Sequence, residues 1–189
     1  MGKLSGKTAI ITGASSGFGR ATAYAFAREG CNVVLTARRE ERLQEVVAKC
    51  KEEGAQAVCY AGDAMKEETA EAVVRLAMET YGQIDILINN AGIGRVTKLE
   101  ESTMEEYDLI MNSNVRSAYA FTLHTMPEML KRGKGQIIMV SSVTGVYGHT
   151  EEAAYTASKF ALRGLAQAID KEFFERGIKS GVYCPSAAK

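Results

Sequence analysis

Short apolar segments alternate with longer amphipathic segments along the whole chain, and this alternation constrains the fold more than any other feature. The apolar segments are near-continuous runs, which is typical of strands buried on both faces of a parallel sheet. We predict six strands, at Thr8–Thr12, Asn32–Thr36, Ala57–Tyr60, Ile84–Ile88, Gln136–Val140 and Gly181–Cys184. Five helices are predicted between them, at Gly17–Glu29, Glu40–Glu53, Glu67–Tyr81, about Thr103–Arg132 and about Ala153–Arg176.

A repeated strand–helix order predicts an α/β fold, namely a doubly wound, Rossmann-like parallel sheet with helices on both faces. The 189 residues are the length of one ordinary domain. No Ser- or Pro-rich linker, repeat or low-complexity tract interrupts them. We therefore expect residues 1–189 to form a single domain.

Composition excludes several classes of function. Lys and Arg number 23, as do Asp and Glu, and this balance argues against a nucleic-acid partner. No apolar run approaches ~18 residues, so we expect no membrane-spanning helix, and the N-terminus lacks the apolar stretch of a secretory signal. The four scattered cysteines have no metal or redox spacing, and no His, Cys, Asp and Glu cluster suggests a metal. We read them as reduced thiols of a cytoplasmic protein.

A Gly-rich turn follows the first predicted strand and has the spacing Gly-x-x-x-Gly-x-Gly. Glycine permits positive φ and lets a pyrophosphate approach the backbone, while the next helix points free N–H groups at the anion. An ordinary Gly-rich turn is the alternative, but the position after the first strand favours a dinucleotide site. The candidate cofactor-binding residues of this turn are Gly13, Ser15, Ser16, Gly17, Phe18 and Gly19.

The end of the second strand carries cations where an NAD enzyme usually carries an acid. The order is Ala37-Arg38-Arg39, and no acid occurs before Glu40. A ribose 2′-hydroxyl is usually bound by a carboxylate here, whereas a 2′-phosphate needs a cation such as Arg38. Solvated charges at a helix start are the alternative for both arginines. We favour NADP over NAD.

Tyr155 and Lys159 lie four residues apart on the last predicted helix and therefore share one face of it. A neighbouring ammonium should lower the pKa of a tyrosine and make it a usable acid and base for a carbonyl/alcohol pair. The motif is weak in isolation, because amphipathic helices contain it by chance. Ser141 and Ser142 end the fifth strand, where α/β sheets place their ligands, and should point to opposite faces.

These motifs, in this order, resemble the short-chain dehydrogenase/reductase family. Its cofactor turn is Thr-Gly-x-x-x-Gly-x-Gly, and Asn-Asn-Ala-Gly, present here at Asn89–Gly92, is one of its hallmarks. The resemblance runs from Lys7 to Pro185 and adds Tyr-x-x-x-Lys at Tyr155. It implies reversible hydride transfer between NADP(H) and a small carbonyl or alcohol substrate, which no motif identifies further.

The resemblance also assigns roles to individual residues. Tyr155 is the implied proton donor, Lys159 holds the nicotinamide ribose, and Ser142 binds the substrate oxygen. Asn114, in a helix that it should kink, is the implied fourth catalytic residue and anchors a water, with Asn112 as its rival. The further implied cofactor-binding residues are Asp63 (an implied contact to adenine, which could equally cap the next helix or do both), Asn90, Ala91, Gly92, Tyr155, Lys159 and Pro185.

Two more expectations follow from the resemblance. The family assembles as dimers or tetramers through its two longest helices, so we expect a homodimer or homotetramer. Its members continue past the sixth strand with a substrate-covering lid and a seventh strand, but here Pro185 is followed by Ser186 and the chain stops at Lys189. We expect the C-terminal part to be missing, through truncation or, as we favour, through omission of a disordered lid.

Two rival functions remain open from the residues. A dinucleotide-binding sensor, catalytically weak or inactive, would keep the fold without turnover, but would not need the Ser142, Tyr155 and Lys159 set. An epimerase acting on nucleotide sugars shares Tyr-x-x-x-Lys, but its Gly-rich turn has a different spacing. The two histidines, His124 and His149, have no partner at useful spacing, although His149 could contact the pocket. The acidic pair Glu151-Glu152 is interpreted as helix-start charge.

Overall fold

Six parallel strands form the centre of the molecule. A computed structural model describes residues 2–186, and in it the strands are β1 (Thr8–Thr12), β2 (Asn32–Ala37), β3 (Ala57–Ala61), β4 (Ile86–Asn89), β5 (Gly135–Val140) and β6 (Ile178–Tyr183). Their order across the sheet is β3-β2-β1-β4-β5-β6. Every neighbouring pair is parallel. The chain therefore proceeds outward from β1 and then outward in the other direction from β4, which confirms the doubly wound sheet.

Helices cover both faces of the sheet, as predicted. They are α1 (Gly17–Arg28), α2 (Glu40–Glu52), α3 (Glu67–Tyr81), α4 (Met104–Met111), α5 (Ser117–Arg132) and α6 (Ala153–Phe173). Because strand side chains alternate, Ile10 and Ile11 of β1 enter different cores. Ile10 belongs to the core formed with α3, α5 and α6, and Ile11 to the core formed with α1 and α2.

The long helix predicted at Thr103–Arg132 is interrupted. A π-helical turn, Asn112–Arg116, separates α4 from α5, and Asn114 within it is completely buried. A π turn inserts extra backbone into a helix and frequently marks a functional site. The kink expected at Asn114 is therefore present, in the form of this wider turn.

The predicted limits of two strands were wrong. β4 begins at Ile86 rather than Ile84, because the Asp85 carboxylate, and not a backbone carbonyl, accepts the Thr8 N–H at 2.9 Å. β6 begins at Ile178 rather than Gly181. It lies at an edge of the described sheet, where the polar Lys179 and Ser180 are tolerated and break the apolar run that marks a buried strand.

The end of β5 packs tightly against α6. Gly145, in a 3₁₀ turn after β5, is buried at this contact. A Cβ at Gly145 would collide with the Ser141 hydroxyl and would lie 2.8 Å from the Lys159 carbonyl oxygen. Such spacing is shorter than a van der Waals contact, so only glycine lets the strand end approach the helix this closely.

We expect Gly145→Ala to lower the free energy of unfolding by about 1–3 kcal/mol, because the added methyl group overpacks this contact. The matched control is Gly164→Ala inside α6, where a Cβ would have no neighbour within 4 Å. There alanine should stabilise the helix by about 0.5–1 kcal/mol. Urea unfolding of both variants measures the difference, and equal effects at the two positions would contradict the packing described for Gly145.

Candidate functional site

The turn after β1 and the start of α1 contain three glycines, and at two of them a side chain would collide with neighbouring atoms. Gly13 has a φ of 65°, and a Cβ there would lie 2.9 Å from the Asn90 side-chain nitrogen. Gly19 packs against the Gly13 carbonyl and the same Asn90 nitrogen. Gly17, with a φ of 54°, has nothing within 4 Å of its missing Cβ. The backbone at the start of α1 is therefore open to close approach by a ligand.

The ends of β1 and β4 are joined by side-chain hydrogen bonds. The Thr12 hydroxyl oxygen accepts from the backbone N–H groups of Asn90 and Ala91, each at 2.9 Å. The Asn90 side chain donates to the Thr12 carbonyl, also at 2.9 Å. These bonds align the Gly-rich turn with the Asn90–Gly92 segment at the point where the strand order reverses, which is where α/β sheets bind their ligands.

A first cavity of about 370 Å³ lies at this edge of the sheet. It brings together the Gly-rich turn, the end of β2, the segment after β3 and the segment after β4. The predicted cofactor residues on its walls are Gly13, Ser15, Ser16, Arg38, Asp63, Asn90, Ala91 and Gly92. Ala37 lines it as well, so its wall at the end of β2 carries a small residue followed by a cation.

No binding role was predicted for Arg39, yet it also lines this cavity. Its guanidinium donates to the hydroxyl groups of Ser15 at 3.0 Å and Ser16 at 2.9 Å. Arg39 therefore links the start of α2 to the Gly-rich turn. Two neighbouring arginines therefore line one cavity, and Arg39 is also hydrogen-bonded to the Gly-rich turn.

Asp63 does not cap the helix that follows β3. The N-cap of α3 is Lys66, and Asp63 instead accepts the Met65 N–H at 3.0 Å with its carboxylate. The helix-cap alternative was therefore wrong, because a short turn separates Asp63 from the first residue of α3. The carboxylate remains on the wall of the first cavity, together with the other residues that the resemblance implies for cofactor binding.

The residues present fit a dinucleotide cofactor. The open backbone at Gly17 begins α1, whose first turn has no acidic residue and whose N-cap Ser16 makes no side-chain cap. Its free N–H groups suit a diphosphate. Arg38 and Arg39 supply cations on the same cavity, and no carboxylate stands at Ala37 to repel a phosphate.

A second cavity of about 430 Å³ adjoins the first and holds three of the predicted catalytic residues, Ser142, Tyr155 and Lys159. Asn90, Gly92 and Ile93 line both cavities, so the two adjoin at this segment, and together they are called the cleft. Phe18 and Pro185 line the second cavity. Of the predicted site residues, Gly17, Gly19 and Asn114 lie beside these walls rather than on them.

Hydrogen bonds from β5 to α6 position the catalytic candidates. The Lys159 ammonium donates to the Val140 carbonyl at 3.0 Å, and the Ser141 hydroxyl donates to the Lys159 carbonyl at 2.9 Å. Both serines line the second cavity, but Ser141 is buried and its hydroxyl is used by α6, which leaves Ser142 as the candidate to meet a substrate. The Ser142 hydroxyl also accepts the Thr144 N–H at 3.3 Å.

The ionisation of Tyr155 differs from the expectation. Burial raises the pKa of Tyr155 above its usual value, the Ser142 hydrogen bond acts in the lowering direction, and the Glu152 charge raises it further. Lys159 was predicted to lower the pKa of Tyr155, and for the protein groups alone that prediction was wrong. Burial also lowers the pKa of Lys159 to about 8, although the charge of Cys184 opposes this shift. Desolvation outweighs the attraction that the spacing of the two residues suggested.

Asn114 holds the segment after β4 against α6. Its side-chain nitrogen donates to the Ile93 carbonyl and to the Ser158 hydroxyl, each at 2.9 Å, and its oxygen accepts the Ile93 N–H at 2.7 Å. A Cβ at Gly92 would lie 2.7 Å from that oxygen and 3.7 Å from the Lys159 ammonium. Asn114 thus lies directly behind the cleft, and its role with a bound water stays a prediction.

Several residues in or near the cleft belong to no recognisable sequence motif. Thr12 was noticed only as the start of the Gly-rich turn, although it joins two strand ends. Glu152 was interpreted as a helix-start charge, yet it lines the second cavity. His149 lines the same cavity and stacks on Tyr147, whereas His124 contacts Glu67 on a helix surface. Thr12 and Glu152 could not be assigned to the site from the sequence, because their spacing has no pattern and only the fold brings them there.

Comparison with known proteins agrees with this geometry. Residues 7–189 match the family model described as short chain dehydrogenase. The oxidoreductase UcpA of Salmonella typhimurium is 38% identical over 98% of this chain, which covers 70% of that protein. A diacetyl reductase ((S)-acetoin forming) of Staphylococcus epidermidis is 36% identical, with 97% of this chain and 72% of the relative covered. A structure of NAD+-bound xylitol dehydrogenase superposes with a TM-score of 0.94 at 29% identity, covering 97% of this chain and 71% of that one.

Two further findings apply to residues 2–186. None of their helices combines the length and the apolar character needed to cross a membrane. No three or more His, Cys, Asp or Glu side chains among them are grouped to hold a metal ion.

Proposed function

Because the chain belongs to the short-chain dehydrogenase/reductase family of oxidoreductases, we propose that it transfers a hydride reversibly between NADP(H) and a carbonyl or alcohol substrate. Tyr155 is the proton donor and acceptor of this reaction. The observation that carries the proposal is the pair of adjoining cavities, with Ser142, Tyr155 and Lys159 on one and Arg38 on the other. An extended dinucleotide suits a cleft of this kind, with its reacting end beside the three side chains.

Each catalytic side chain has a task that its surroundings support. The nicotinamide supplies or receives the hydride. Ser142 donates a hydrogen bond to the substrate oxygen and orients it. Tyr155 lies beside Ser142 in the second cavity and gives its proton to the carbonyl oxygen during reduction. Lys159 holds the nicotinamide ribose, and Asn114 anchors a water that relays protons.

The preference for NADP rests on the walls of the first cavity. Ala37 removes the carboxylate that would bind a ribose 2′-hydroxyl, and Arg38 supplies a permanent cation for a 2′-phosphate. Arg39 adds a second cation while it holds Ser15 and Ser16. The two arginines support NADP over NAD for this chain, even though a relative of known structure is NAD+-bound.

The second candidate is a dinucleotide-binding protein without turnover. It would need the first cavity but not the proton donor in the second. The polar side chains Ser142 and Tyr155, held beside one another in a cavity with a buried lysine, favour the enzyme, since a binding protein gains nothing from them.

The same proposal includes assembly and location. We expect a homodimer or homotetramer formed through α4, α5 and α6, where Tyr119, Leu123 and Phe160 expose apolar surface. We expect a cytoplasmic protein, and the four cysteines, all within the described residues, are free thiols.

Tyr155→Phe should remove most of the activity and leave NADPH affinity nearly unchanged, because it deletes the proton donor but keeps the ring. We expect kcat to fall by about 10²–10⁴-fold, the usual contribution of a positioned acid. NADPH oxidation with a panel of ketones and aldehydes measures kcat, and fluorescence titration measures affinity. Tyr24→Phe, on α1 and away from both cavities, is the control. Activity in Tyr155→Phe comparable to the parent would overturn the assignment, and NADPH binding without any turnover by the parent would favour the binding protein.

Arg38→Asp should reverse the cofactor preference, because the new carboxylate repels a 2′-phosphate and can accept from a 2′-hydroxyl. We expect the ratio of Kd values for NADPH and NADH to change by at least about 10–100-fold. Arg42→Asp on the exposed face of α2 carries the same change in charge and should alter the ratio little. An unchanged ratio in Arg38→Asp would refute the phosphate role.

A further inference from the structure

Glu152 has a carboxylate oxygen that the fold leaves without a partner. Glu152 is the N-cap residue of α6, but its side chain makes no cap hydrogen bond. Its Oε2 atom is buried and accepts no hydrogen bond from any residue that the structure describes. The side chain instead lines the second cavity together with Tyr155 and Ser142. Helix capping therefore does not explain this carboxylate.

A second polar atom on the same cavity is also unsatisfied. The Thr144 hydroxyl is buried and has no partner among the described residues, and Thr144 is only 4% exposed. Its backbone N–H is already used, since it donates to Ser142. The wall beside the reacting groups thus carries a carboxylate from Glu152 and a hydroxyl from Thr144, each with an oxygen that no described residue satisfies.

The other charged group of the cavity does not neutralise Glu152. The Lys159 ammonium donates to the Val140 carbonyl, and it forms no ion pair with Glu152 within the described residues. His149 lines the cavity and stacks on Tyr147. A buried carboxylate oxygen without a donor is unfavourable, and a ligand that brings a donor to it gains a charge-assisted hydrogen bond.

The position of Glu152 limits where that donor must be. Glu152 and Tyr155 are three residues apart at the start of α6, so they lie on one side of the helix with their Cβ atoms about 5–6 Å apart. Glu152 is also close enough for its charge to act on the Tyr155 hydroxyl. A group attached to the carbon next to the reacting carbonyl would reach Glu152 while the carbonyl oxygen meets Tyr155.

We propose that Glu152 determines substrate specificity by accepting a hydrogen bond from a hydroxyl group on the carbon next to the reacting carbonyl, so that the substrates are hydroxy ketones and the corresponding diols. This inference rests on the proposed function, because it assumes that Tyr155 serves a carbonyl substrate. Thr144 supplies a second polar contact to the same part of the substrate. The carboxylate repels keto acids, which would bring a second negative charge into the cavity.

The experiment compares three small ketones that differ at one position. Hydroxyacetone carries the hydroxyl, 2-butanone replaces it with a methyl group of similar size, and pyruvate replaces the hydroxymethyl group with a carboxylate. We expect kcat/KM for hydroxyacetone to exceed that for 2-butanone by about 10–100-fold, the usual range for a hydrogen bond to a charged group. Pyruvate should be the poorest of the three.

Two variants test whether Glu152 causes this order. Glu152→Gln keeps a neutral acceptor and should lose part of the preference for hydroxyacetone, while improving the use of pyruvate. Glu152→Leu removes the acceptor and should bring hydroxyacetone to or below 2-butanone. Glu151→Gln, which changes the exposed neighbouring carboxylate, should keep the parent order. A purely structural role would lower all three rates together and leave their ratios unchanged.

The outcomes separate this inference from the proposed function. If the parent reduces 2-butanone as well as hydroxyacetone, or if both Glu152 variants keep the parent ratios, the specificity role is overturned and the oxidoreductase function stands. If the parent reduces neither these ketones nor any member of a wider carbonyl panel, the proposed function fails and the specificity role fails with it. NADPH affinity, measured alongside, should be the same in all variants.

Discussion

Two hydrogen bonds that run in opposite directions join the end of β5 to α6. The Ser141 hydroxyl donates to the Lys159 carbonyl, and the Lys159 ammonium donates to the Val140 carbonyl. Gly145 makes the close approach of strand and helix sterically allowed. Ser142 follows Ser141 directly, and Tyr155 precedes Lys159 by about one helical turn. The same contact therefore positions Ser142, Tyr155 and Lys159, and a looser contact would separate all three side chains.

Burial beside this contact also shifts the pKa values of Tyr155 and Lys159. Lys159 is buried so deeply that its pKa falls to about 8, and the pKa of Tyr155 rises because the phenolate would be poorly solvated. The chain alone thus stabilises neutral forms of both groups. A protonated tyrosine suits the donation of a proton to a carbonyl. Thr12, Asn90 and Asn114 make the hydrogen bonds that keep the segment after β4 in place beside the cleft.

The sequence predicted features that depend on local pattern and missed those that depend on distant neighbours. Buried parallel strands are continuous apolar runs, so β1 was predicted at its observed limits, whereas the polar edge strand β6 was misplaced. The contact from Arg39 to the Gly-rich turn crosses between elements 23 or more residues apart and has no motif. The Tyr155 pKa was predicted with the wrong sign, because a spacing rule shows a nearby charge but does not show burial.

We propose that a hydride passes in this cleft from the cofactor to a carbonyl carbon while Tyr155 protonates the oxygen. The most direct test uses NADPH deuterated at both C4 positions with a carbonyl substrate and analyses the product alcohol by mass spectrometry. One deuterium should appear on the former carbonyl carbon and stay there after exchange in ordinary water, and NADPH should be oxidised in equal amount. A product without deuterium, or bound NADPH that is never oxidised by any carbonyl in a broad panel, would contradict it.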